Sequence, residues 1–229
     1  MAEPTVTAAI PVHNGEAYLA EAIESILAQE RGCDQVVVVD NGSTDRSAEI
    51  ARSYAPRVEV IYEPRRGVSA ARNAAMRALR GDFVAFLDAD DLWRLEKTAL
   101  QLSAFAAEPE LSLVFGHVQQ FASPGLGEEL AARLRIPEAP QPGFYMGAML
   151  ARRAACEAIG PWPEEVKVAD GLTFLLRARE LGLAQAMLPE IVTMRRVHGD
   201  NHSISGKGER VEFARLLKRS LDRRRDTAR

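Results

Sequence analysis

The chain has 229 residues, 47% of them apolar and 27% charged, with 29 Lys and Arg against 32 Asp and Glu. That length and apolar content suit a single α/β domain with a sizeable core and exclude a disordered chain, and the net charge of −3 argues against a general nucleic-acid binder. Two cysteines, Cys33 and Cys156, make neither a disulfide framework nor a CxxC zinc site; with no basic, apolar leader at MAEPTVTAAIP and no uncharged apolar run near the ~18 residues of a spanning helix, the expectation is a soluble cytoplasmic protein with reduced thiols.

In chain order, Thr5–Val12 reads as a strand. Leu19, Ala22, Ile23, Ile26 and Leu27 then make one apolar helical stripe. The four-valine run Val36–Val39 lacks polar alternation, as in a strand buried on both faces of a parallel sheet. A helix around Ser47–Tyr54 and a strand at Val58–Tyr62 follow. Ser69 is placed to N-cap a helix running to Leu79, with Gly81 as its C′ glycine. Phe83–Leu87 reads as another buried strand, followed by a helix near Arg94–Ala107, whose acidic N-cap Asp91 could be, and a strand at Leu111–Val118.

This β-α-β-α rhythm predicts a doubly wound, parallel sheet. Ser123–Gly143 turns to Pro, Gly, Ala and charge and reads as a loop or lid with a short helix at Glu128–Arg133. Helical patterns return at Arg152–Ile159 and Asp170–Leu181, then a strand at Ile191–Val197 and a final helix from about Gly208 to Arg225.

In open α/β sheets ligands bind beyond the carboxyl ends of the strands. Three predicted strands end there in polar groups: His13-Asn14-Gly15, Asp40-Asn41-Gly42 and Asp88-Ala89-Asp90-Asp91. Each alone could be a turn or helix cap; together they make a site. The four-residue acidic run is costly unless a cation or a proton is shared, and hard oxygen ligands on a loop suit Mg²⁺ or Mn²⁺ completed by substrate phosphates. No GxGxxG follows the first strand, and GxxxxGK[ST] and GxSxG are absent. A metal-dependent transfer from a nucleoside-diphosphate donor remains.

The segments AAIPVHNGEAYLAEAIESILAQ, VVVVDNGSTDRSAEIARSYA, RRGVSAARNAAMRALRGDFVAFLDADD and VADGLTFLLRARELG resemble the successive motifs of family 2 glycosyltransferases. The resemblance implies a GT-A fold: a Rossmann-like, mostly parallel sheet flanked by helices, here one domain with a C-terminal helix. Its halves would be 1–118 for the nucleotide sugar and 119–206 for acceptor and catalysis, with 207–229 as the helix. It implies an inverting transfer from a nucleotide sugar, UDP-linked for preference, with Mn²⁺ or Mg²⁺, to an acceptor hydroxyl on a saccharide, lipid-linked or peptide molecule. It allows a homodimer.

Carried over by position, Pro11, His13 and Asn14 would line the nucleotide pocket, His13 standing where the family has Tyr. Asp40 would meet the base, Asn41 replaces a second Asp, and Arg72 would reach base or phosphates. Asp88-Ala89-Asp90 would be the DXD motif, with Ala89 in the donor site, Asp90 the direct metal ligand and Asp88 nearer the ribose. Asp170 would be the general base, with Ala169 in place of the family's Glu and Glu164 and Glu165 as fallbacks. In the run from Arg195 to Ser203, His198 could be a third metal ligand and Arg195 or Arg196 a phosphate clamp, while His202 reads as a surface turn. Trp93 and Trp162 could wall the acceptor, although Trp93 could equally be core. Two other functions are compatible with the residues: a non-catalytic nucleotide-sugar binder, encouraged by Ala169, and a metal-dependent phosphohydrolase, disfavoured because Asp-x-Asp follows the fourth predicted strand.

The charge is unevenly spread. Residues 207–229 hold nine Lys and Arg against four Asp and Glu, a net of +5, which leaves −8 on the rest. Phe213, Leu216, Leu217 and Leu221 share a helical face. That face is read first as docking on the body, and second as a peripheral contact with the inner face of a membrane.

Overall fold

The computed structural model describes residues 3–127, 130, 133–134, 136–164 and 170–199. The predicted short helix at Glu128–Arg133 falls largely, and the basic helix at 207–229 entirely, outside the described residues, as do Glu165, Ala169 and His202.

β1 (Val6–Val12), β2 (Gln35–Asp40), β3 (Glu59–Tyr62) and β4 (Phe83–Phe86) form a parallel half-sheet in the order β3-β2-β1-β4. α1 (Leu19–Leu27), α2 (Ser47–Arg52) and α3 (Val68–Ala78) connect them. Both faces of this half-sheet are buried, which is why the valine run carries no alternation. Val6, Ala8, Ile10 and Val12 of β1 pack with Leu19, Ala22, Ile23 and Ile26 of α1. Ala9, Val37 and Val39 face Ala71, Ala74 and Ala75 of α3.

Two local readings change. α3 begins at Val68 behind Gly67, whose φ of 121° a side chain would strain; Ser69 therefore sits inside the first turn. Gly81 is required by close approach, not by a helix cap, since a Cβ there would lie 2.7 Å from Thr7 Cγ2.

Past β4 the sheet becomes mixed: the predicted strands keep one direction, and short strands that the sequence pattern does not signal run against them. β5 (Leu92–Trp93), β6 (Leu113–Ala122), β7 (Gln141–Pro142), β8 (Leu150–Arg152) and β9 (Gln185–Val197) continue it as β4-β8-β6-β9-β5, with β7 on β6. β8 is antiparallel to both β4 and β6. It leaves directly from the turn at Met146–Ala148, with no helix between, and so escapes the crossover that a parallel neighbour needs. β9 runs parallel to β6 and is twice as long as its apolar pattern suggests. Pro189 and Glu190 fall where the register jumps from Phe115↔Met187 to His117↔Ile191, so the missing proline N–H is taken up by an irregularity. α4 (Lys97–Ala107), α5 (Arg153–Ile159) and α6 (Asp170–Glu180) complete the fold. Among the described residues no helix is long and apolar enough to cross a membrane.

Candidate active site

The carboxyl ends of β1, β2 and β4 share one edge. The loops after β1 and β2 are zipped together by side chains. Asn14, at φ 53°, accepts from Thr44 N at 2.8 Å, Gly15 N donates to Ser47 Oγ at 2.9 Å, and Glu16 N donates to Asp45 at 2.9 Å. Asn14 thus spends its carboxamide oxygen on fixing this edge. Pro11 is buried within β1 and paired in register with Val39.

Asp40 is buried and holds Ser43 N at 2.9 Å. Asn41 explains its own departure from the family pattern. Its amide donates to Glu63 O at 2.9 Å and Arg65 O at 2.6 Å, while its oxygen accepts from Gly67 N at 2.8 Å. A carboxylate could accept the last bond but could not donate the first two. One side chain therefore docks the whole 63–67 loop beside the β2 terminus. Glu63 seals the loop from below: hydrogen bonds from Arg65, aided by nearby Arg77, hold its carboxyl down at about 2.

Arg66 of that loop is a site residue that the sequence reading passes over. Its Nη1 donates to Asn41 O, to Gly42 O at 2.6 Å and to His13 Nδ1 at 2.7 Å. A guanidinium only donates, so His13 Nδ1 is the acceptor and any single ring proton sits on Nε2. Nothing in the run Glu-Pro-Arg-Arg separates Arg66 from an ordinary solvated loop.

Arg72, buried on α3, reaches Asp88 Oδ1 at 3.2 Å. One turn earlier on the same helix, Ser69 Oγ is buried with no hydrogen-bond partner. After β4 the chain turns through Asp88, Ala89, Asp90 and Asp91, closed by Asp91 N donating to Asp88 O at 3.1 Å. Asp90 Oδ2 meets His198 Nε2 at 2.9 Å. The structure thus brings four of the predicted site residues together in two pairs, Arg72 with Asp88 and Asp90 with His198, at one strand edge.

Asp91 is not the cap of a helix over Leu92–Ala107: β5 intervenes and α4 starts only at Lys97. Its carboxylate is buried, accepting from Arg196 N at 2.9 Å and Tyr145 OH at 3.2 Å. Burial, then the charges of Asp88 and Asp90, push its carboxyl well above the usual range.

Arg196 is not placed as a phosphate clamp either; it is 4% exposed and bonded to protein groups. Arg195 lies 5.9 Å from the ring of Tyr145. Trp93 is core, its indole N–H on Gly147 O at 3.0 Å. Trp162 is core too, stacked on Phe174 at 4.6 Å, with its main chain clipped on both sides by Asn73. Both are thereby removed from the acceptor wall. Glu164 is held by Arg65 and Asn73, which makes it a poor fallback base. Asp170 opens α6, and the placement of its carboxylate lies outside the described residues.

The carboxylates are hard oxygen donors suited to Mn²⁺ or Mg²⁺, and the borderline imidazole nitrogen beside them fits Mn²⁺ better than Mg²⁺. Among the described residues no three such side chains close on one point. The arrangement fits a shallow site that phosphate oxygens complete.

Comparison with known proteins bears on the family and the fold. Residues 7–153 match the family model "Glycosyl transferase family 2". The uncharacterized glycosyltransferase EpsJ of Bacillus subtilis is 38% identical over 91 residues, which cover 38% of this chain but only 26% of EpsJ. Among solved structures, S. aureus TarS 1-349 in complex with UDP-GlcNAc superposes with a TM-score of 0.74 at 21% identity, over 94% of this chain and 65% of that one. Mannosyltransferase PcManGT from Pyrobaculum calidifontis, in complex with GDP-Man and Mn²⁺, gives 0.66 at 26% identity, over 89% and 60%. With its fold and more than half of its length matched, the chain belongs to the family 2 glycosyl transferases.

Proposed function

We propose that this chain transfers a sugar, with inversion, from a nucleoside-diphosphate sugar to an acceptor hydroxyl. The observation that carries the reading is the pairing of Arg72 with Asp88 and Asp90 with His198 at the edge where β1, β2 and β4 end. Asp40, buried at the end of β2, presents a carboxylate suited to the N3–H of a uracil and so to a UDP-linked donor. Pro11, His13, Asn14 and Ala89 surround that nucleotide. A divalent cation bound here would need Asp90, Asp88 and His198 to draw together around it with the donor's phosphate oxygens, and it would neutralise the charge building on the departing diphosphate. Asp170 takes the proton of the acceptor hydroxyl as the hydroxyl oxygen forms the new bond to the anomeric carbon and the sugar–phosphate bond breaks. A single displacement of this kind inverts the anomeric centre.

The test is thermal. UDP and Mn²⁺ together should raise the melting temperature by more than the sum of their separate shifts, because each completes the other's site on the folded protein. Asp90→Ala should abolish that excess, and Asp170→Asn should keep it while transfer is lost. An Asp90→Ala variant with the full joint shift removes the metal assignment, and full transfer by Asp170→Asn removes the base.

A further inference from the structure

The sequence reading offers Arg195 or Arg196 to the donor phosphates, yet the structure turns the Arg196 guanidinium away from solvent. Nε donates to Asp90 O at 3.0 Å and Nη2 to Glu21 Oε2 at 2.6 Å. The group lies between two rings, 4.6 Å from the centre of Tyr18 and 4.8 Å from that of Phe121. Its own backbone N–H is held by Asp91 at 2.9 Å.

Two residues along the same extended chain, His198 reaches the Asp90 carboxylate at 2.9 Å, its ring tilted against Tyr18 at 4.9 Å. Residues i and i+2 share a strand face, so Arg196 and His198 grip one residue from one side. Arg196 takes the main-chain carbonyl of Asp90 and His198 takes its carboxylate. Tyr18 packs against both, and its hydroxyl is fixed by Ser123 at 3.0 Å.

We propose that Arg196 and Glu21 act as a positioning pair that sets Asp90 for divalent-cation binding; the inference rests on the metal reading above. Glu21 projects from the first turn of α1, and its side chain is half-exposed. It orients the fork of Arg196, which in turn fixes the peptide that carries the Asp90 carboxylate. Groups that orient a ligand in this way typically change metal affinity by about 10–100-fold when removed. Because Arg196 acts on the Asp90 main chain and not on its carboxylate, about tenfold is expected. Metal-free nucleotide binding, which the pair does not touch, should stay within about twofold.

The experiment titrates full-length protein with Mn²⁺, following the free-ion electron paramagnetic resonance signal at saturating UDP. UDP affinity without metal is measured by calorimetry. Glu21→Ala removes the outer, solvent-facing member and should fold. Arg196→Lys retains charge but cannot bridge a carbonyl and a carboxylate with one planar fork. Both should weaken Mn²⁺ about tenfold and leave UDP alone unchanged. Mn²⁺ affinity within twofold of wild type in Glu21→Ala overturns the pair, and so does an equal loss of metal-free UDP binding, the mark of general distortion. Failure of the wild-type protein to bind Mn²⁺ with UDP overturns the metal reading itself and the pair with it.

Discussion

Lys97 is a cation in the core, and its titration gives the sharpest test of the packing described here. The residue is wholly buried. Its amine donates to Gln101 Oε1 and to Met149 O at 3.2 Å and lies 4.6 Å from the centre of the Trp93 ring. Among the described residues no carboxylate pairs with it. Burial drives its pKa from 10.5 down to about 7. Between those values the unfolded chain binds a proton that the folded chain does not, so stability rises with pH, by at most ~1.4 kcal/mol per pH unit. From about pH 6.5 to 8.5 the gain from this one residue is about 2 kcal/mol, and below pH 7 the folded protein carries the full penalty of a buried charge.

Lys97→Met keeps the length of the side chain and removes the titration. Its absolute stability depends on two opposing effects: relief from the buried charge, and the loss of partners for Gln101 and Met149 O. The slope is free of that ambiguity. Urea unfolding of both proteins across this range should show the difference, wild type minus variant, growing by about 2 kcal/mol in favour of wild type. The range stops short of the ordinary thiol pKa of 9.0 because neighbouring Cys33, pushed up to about 12 mainly by burial, brings a slope of its own above it. A difference that stays within about 0.5 kcal/mol from end to end refutes a neutralising, buried Lys97.

Asn73→Ala strips both hydrogen bonds from the buried main chain of Trp162, each 2.9 Å long, and should cost about 2–4 kcal/mol in urea unfolding; a loss under 1 kcal/mol would mean that the segment relaxes onto other partners. Asn41→Asp restores the residue pair typical of the family, yet it sets a carboxylate against Glu63 O and Arg65 O and should destabilise by about 2 kcal/mol or more, with weaker UDP binding as the 63–67 loop loosens. Unchanged melting and UDP affinity in that variant would show that the loop is held without the amide.

The parallel half of the fold is legible in the sequence because each of its strands is short, apolar and bounded by turn residues, and because helices of clear periodicity separate them. Legibility ends where these conditions end. β8 is three residues long, shorter than any pattern can signal, and β9 carries a proline in mid-strand that period-two counting reads as a break. The two tryptophans show the same limit from the packing side. An aromatic residue beside Gly and Pro looks like a loop platform in sequence, whereas Trp162 is drawn inward by Phe86 and Phe174, residues 76 positions before it and 12 after it.

At the site, polar residues at the strand ends divide by what their polar atoms hold. Asp88, Asp90 and His13 keep side chains at the surface of the edge, and their chemistry is visible from composition alone. Asn14, Asn41, Asp91 and Arg196 are turned to the main chain of neighbouring loops, and for them residue type misleads. An acidic residue ahead of a helical pattern reads as a cap, yet Asp91 clips β9 and Tyr145 to the turn. An arginine beside a histidine reads as a phosphate clamp, yet Arg196 holds a carbonyl. The division has a physical cause. The turn from Asp88 to Asp91 and the 63–67 loop leave peptide groups near buried surface, and each such group left unpaired is penalised by about 1–3 kcal/mol. Side chains close enough to satisfy them are recruited whatever else their chemistry could do. A residue at the catalytic edge is therefore available to substrate only after the backbone around it has been satisfied, and that order of precedence becomes visible only in three dimensions.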